Sequence, residues 1–119
     1  MQVVVEHAEA ARSTRQARDR AITGIVDLAV ERRHTVGTIL GDPIIVGFFA
    51  DHDLFRDVML RLRHLLVGED AGAEGRVRTA MLIAATSGAV THPFVADLDD
   101  DTLRTQLLQL ARRFLGLPA

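Results

Sequence analysis

Apolar residues recur at three- and four-residue intervals along most of this chain, and no segment alternates apolar and polar residues for long. That period belongs to helices, whose side chains return to one face every 3.6 residues, so the pattern predicts an all-α domain. The β-branched triplets Val3-Val-Val5 and Ile44-Ile-Val46 are too short to outweigh their helical surroundings. Residues 3–11 read as the end of a helix, with Met1 opening directly into apolar positions. Ser13 or Thr14 can cap a long helix to about His34, with Ala21, Ile22, Ile25, Leu28 and Ala29 on its apolar stripe and Gly24 weakening it slightly. A short helix is expected over residues 36–40, closed by Gly41-Asp42-Pro43, and a buried one over residues 44–50.

Asp51 or Asp53 can cap the next helix, residues 54–67, in which Phe55, Val58, Met59, Leu62, Leu65 and Leu66 repeat at three and four, and Gly68 ends it. Residues 69–75 form a loop-like linker. Two helices then close the chain, residues 76–91 and 102–115. The first is apolar around nearly its whole circumference, which a helix on the surface of a monomer would not be. Thr91-His-Pro93 stops it, residues 97–101 make an acidic connector that suits the next helix dipole, and Arg112 and Arg113 suit its far end. The last helix carries two stripes, Leu103, Leu107, Leu110 and Phe114 on one and Leu108, Ala111 and Leu115 on the other, which implies two sets of neighbours.

At 119 residues the chain is read as one domain, long enough to fold around its own core. Its 14 basic residues, all arginine, against 16 acidic ones leave a net charge of -2, which argues against a phosphate-tracking surface on this domain. The arginines at 12, 15, 18 and 20 are offset by Glu6, Glu9, Asp19 and Asp27 and read as a solvated helix face. There is no cysteine, which excludes disulfides and thiolate chemistry and fits a cytoplasmic setting. The codon bias behind an arginine-only, Ala- and Val-rich composition points to a bacterial source. No apolar run reaches the ~20 residues of a membrane span.

Chemistry-bearing patterns are few. Glu31-Arg-Arg-His34 has the spacing of a helical di-iron half-site but lacks a second copy. Residues 97–101 imitate the start of a calcium loop, yet Thr102 and Leu108 stand where glycine and glutamate are required, so a helix cap is the better reading. Asp51-His-Asp53 reads as a capping turn. Neither Ser13 nor Ser87 stands in a nucleophile elbow, and no glycine pattern suits a phosphate loop. The chain is therefore not read as an enzyme, and no cofactor or metal is expected. Phe48, Phe49, His52, Phe55 and Met59, with His64 beyond them, group aromatic, flexible and polar side chains as a pocket for a small apolar ligand would.

Laid out in this order, the helices resemble the C-terminal ligand-binding and dimerisation domain of TetR-family transcriptional regulators. Gly75-Arg-Val-Arg-Thr-Ala-Met-Leu-Ile-Ala-Ala-Thr-Ser-Gly-Ala-Val90 is similar to the family's penultimate helix, and Asp101-Thr-Leu-Arg-Thr-Gln-Leu-Leu-Gln-Leu-Ala-Arg-Arg-Phe-Leu-Gly116 to its last. Asp53-Leu-Phe-Arg-Asp57 resembles the segment leading into the central helix. The resemblance implies a bundle of about five to six helices whose last two pair with their copies in a second subunit as a four-helix bundle. It implies a homodimer that senses a small apolar effector and reaches DNA only through an N-terminal helix-turn-helix domain; no such segment precedes Val3. Val77, Ala80, Met81, Ala84, Gly88, Leu103, Leu107, Leu110 and Phe114 are the expected interface, and its area would be on the order of 2,000 Å² or more. The alternative reading is a helical module that dimerises without any ligand.

Overall fold

The apolar pairs Ala21-Ile22, Ile25-Val26 and Ala29-Val30 recur every four residues and give one helix an apolar face broad enough for several neighbours. In the computed structural model that helix is the centre of the fold. The structure describes residues 1–33, 44, 47, 53–68 and 72–117, the side chains of Leu54 and Phe55 excepted. Five α-helices appear among them: α1, Gln2–Glu9; α2, Thr14–Glu31; α3, Asp53–Val67; α4, Gly72–Ala89; and α5, Asp100–Phe114. A 3₁₀ turn, Pro93–Val95, lies between the last two. No strand occurs among the described residues, and none of their helices is long and apolar enough to cross a membrane. The expected helices over 36–40 and 44–50 and the metal-like Glu31/His34 and Asp51/His52/Asp53 patterns fall wholly or partly outside the described residues.

Local chemistry fixes the helix ends. The Ser13 hydroxyl accepts the Gln16 N–H at 3.1 Å, and Asp99 Oδ1 accepts that of Thr102 at 2.7 Å. Each satisfies a backbone donor that the first helical turn leaves free. Hydrogen bonding from Thr102 also holds the Asp99 carboxyl below its ordinary value. At the other ends, Gly68 (φ +82°) and Gly116 (φ +72°) take the left-handed conformation that closes a helix and that a Cβ would disfavour. The linker is shorter than the sequence suggests. Residues 72–75 are already helical, with Glu74 in the first turn and paired to Arg78 one turn on, at 2.7 Å.

Packing follows from the central helix. α2 touches all four others, and Ile22, Val26 and Val30 are sealed against Val5 of α1 and Leu62 and Leu66 of α3 in one core that also takes Leu82, Leu103 and Ala111. Burying each such side chain contributes roughly 1.5–3 kcal/mol. α5 lies antiparallel to α2, and three ion pairs mark the register: Asp19–Arg112 at 2.9 Å, Asp27–Arg104 at 2.9 Å and Arg33–Asp100 at 3.2 Å. As the residue number rises along α2, that of its partner on α5 falls. Asp19 and Asp27 are thus committed to α5, and Glu9 to Arg61 of α3, rather than offsetting the arginines of α2.

Candidate functional site

α4 packs on α2 and α3 with an unusual choice of side chains. Its buried stripe is Gly75, Thr79, Leu82 and Thr86. The two threonine hydroxyls are out of reach of water and each donates to a carbonyl one turn back in its own helix, Thr79 to Gly75 at 2.9 Å and Thr86 to Leu82 at 2.7 Å. These bonds let a polar atom enter the core without needing a partner from another helix.

The opposite face is apolar and open. Val77 is 57% exposed and Met81 54%, while Leu110 and Phe114 of α5 are 58% and 42% exposed. Ala80, Ala84, Ala85 and Gly88 are exposed between them, and a Cβ placed on Gly88 would meet nothing within 4 Å. From Thr79 to Thr91 the sequence has no charged residue at all. Between the two helices runs a groove of about 270 Å³, lined by Met81, Ala85 and Ala89 on one side and Leu107, Leu110 and Phe114 on the other. A helix that turns threonines inward and methionine, valine and alanine outward has its larger apolar surface on the side without a neighbour.

Eight of the nine side chains expected at an interface are exposed or half-buried along this face. Leu103 is the exception, at 2% exposure inside the protomer's own core. By helical angle alone it shares a face with Leu110, seven residues on. At its end of α5, however, the core also takes Val90 and, at its edge, Val95, which flank and belong to the connector. Sequence reasoning missed Ala85 and Ala89 in the groove. It also missed the inward spacing of Gly75, Thr79, Leu82 and Thr86, a regular four-three-four step legible in the chain but hidden by the expectation that alanine goes inside.

The residues expected around a small ligand are not gathered in this way. Phe48, Phe49 and His52 lie outside the described residues, as does the side chain of Phe55. Met59 is half-buried against the core, whereas His64 is exposed. Five positions apart on α3, they diverge by about 140°. His64 instead borders an open cleft of about 370 Å³ with Glu9, Leu60, Arg61 and Arg63. There Arg61 Nε donates to Glu9 Oε2 at 3.2 Å, and this hydrogen bond is the main cause of the Glu9 carboxyl lying below its ordinary value.

The acidic connector acts structurally. Asp99 caps α5, Asp100 meets Arg33, and Asp101 meets Arg104 at 2.9 Å. Among the described residues no group of three or more His, Asp or Glu side chains could hold a metal ion. No family model matches the chain, and neither a curated protein nor a solved structure matches it.

Proposed function

We propose that this chain is a homodimerising, effector-sensing domain of a bacterial regulator of the TetR type, in which α4 and α5 pair with their copies as a four-helix bundle. One observation carries the reading: α4 presents Val77, Ala80, Met81, Ala84 and Gly88 to solvent while it buries two threonines. The small residues allow close approach of a second helix axis, and Met81, Leu110 and Phe114 supply apolar bulk to fill the gaps. An isologous contact sets a surface against its own copy, so a stretch without charge avoids self-repulsion. This favours a second copy as the occupant. The sensing half of the proposal rests on the grouping of Phe48, Phe49, His52, Phe55 and Met59 in the sequence, and DNA contact belongs to a separate helix-turn-helix domain in this reading.

Light scattering on the purified chain tests the pairing. A mass near twice 13.0 kDa is expected at micromolar concentration, and Met81→Glu or Leu110→Glu should give a monomer whose helical circular dichroism is unchanged. Both side chains are more than half exposed in the protomer, so loss of the dimer without loss of the fold is the specific result. A wild-type chain that stays monomeric at those concentrations would sink the proposal. A thermal-shift screen with apolar metabolites separates sensing from ligand-independent dimerisation, because an effector at about 100 times its dissociation constant stabilises by roughly 2.7 kcal/mol.

A further inference from the structure

Arg18 stands on α2 at the end of the bundle where α3 finishes, α4 begins and α5 closes. Its side chain is half-buried, and its Nε is shielded from solvent without a hydrogen-bond acceptor. The nearby described acids are engaged elsewhere, Asp19 with Arg112 at 2.9 Å and Glu74 with Arg78 at 2.7 Å. Beside it is a cleft of about 230 Å³, walled by Arg18, Arg78, Glu74 and Gly75 over a floor of Leu66 and Leu115. Two guanidinium groups thus face one carboxylate. A guanidinium N–H taken from water without an acceptor is unfavourable, and the groups that best satisfy it are oxyanions, which accept two parallel bonds from one edge of the fork.

We propose that this cleft is an anion site, in which a phosphate or carboxylate group takes the Nε and Nη edge of Arg18 side-on and Arg78 supplies a second positive charge. Gly75 on the wall has no side chain, which leaves room for the group. The first turn of α4 adds the positive end of an 18-residue helix on the same side. The inference is independent of how α4 and α5 pair, since its residues face a different end of the molecule from Met81 and Leu110.

The arginine Nε–Hε signals of the full chain in nitrogen-15 NMR report on this edge directly. Titration with inorganic phosphate, acetate and chloride at constant ionic strength should move the Arg18 signal saturably for phosphate or acetate, and the stronger of the two identifies the ligand class. Chloride should leave it in place. Arg18→Lys keeps the charge but not the fork, and Arg78→Gln removes the second charge; each is expected to weaken binding by about tenfold. The proposal is overturned by an equal response to chloride, by a shift that never saturates, or by undiminished binding in Arg18→Lys. An Arg18 signal displaced before any anion is added, and restored by Glu69→Gln or Asp70→Asn, would give the edge to the chain's own linker and overturn it equally.

Discussion

Gly24 decides how closely α1 can lie on α2. A Cβ built there would stand 2.4 Å from Cγ1 of Val4 and 3.2 Å from its Cβ, and valine, branched at Cβ, has little freedom to swing away. The sequence alone presents this glycine as a mild weakness in a long helix, because the reason for it sits twenty residues away on another helix. Gly24→Ala gains up to about 1 kcal/mol of helix propensity but forces α1 outward, with a cost of about 1–3 kcal/mol from overpacking. Urea denaturation should show net destabilisation, and Val4→Ala in the same chain should recover part of it; additive losses would show that the contact does not matter. Glu9 fastens the far end of α1 to Arg61. Its carboxyl lies below the ordinary 4.5 chiefly through the Arg61 hydrogen bond, so the ionised form is favoured by folding. The contribution is fully present above the ordinary value and fades as pH falls through the depressed one. The stability of wild type relative to Glu9→Gln, followed between pH 6 and pH 3, is therefore expected to decline toward acid; a flat difference would contradict the pairing.

At the scale of elements, the three ion pairs between α2 and α5 are partly exposed, and each contributes about 0–1 kcal/mol. Their value lies in register. Asp27→Arg sets two cations against each other and is expected to lower the melting temperature more than Asp27→Asn, while the exchange Asp27→Arg with Arg104→Asp should restore most of the loss, less so in high salt. An exchange that recovers nothing would mean the pair does not set the alignment. Helix positions were legible because they rest on local signals: Ser13, Gly68 and Gly116 mark ends in the sequence as they do in the fold. Facing was less legible. Periodicity shows that α5 has two apolar stripes, but not that Leu103 is covered at one end while Leu110 stays open at the other. Nor does it show that Thr79 and Thr86 go inward, since their hydroxyls are satisfied within the helix and leave no trace in a hydropathy pattern.

On the scale of the whole molecule, the all-helical architecture follows from period and caps, whereas the use of its open face depends on a second chain and is outside what periodicity encodes. If α4 and α5 pair as proposed, folding and association are linked, and the melting temperature should climb with protein concentration in wild type but not in Met81→Glu. Equal melting temperatures over a hundredfold dilution of wild type would speak against that linkage. The proposed ligand-facing residues are the least legible group. Met59 and His64 are close in sequence yet diverge around α3, so proximity along the chain did not translate into a shared cavity.

The ladder that joins α2 to α5 also has a mechanical meaning. An axial slip of either helix would have to unfasten Asp19, Asp27 and Arg33 from their partners together, so the two are coupled like the rails of a fixed track. Among the described residues no ion pair ties α4 to α2, and its contact there is made by glycine, threonine and leucine. Of the two helices that border the open groove, one is thus locked to the centre and the other is free to creep along it. A small displacement delivered to the molecule would change the offset between α4 and α5 before it changed anything else.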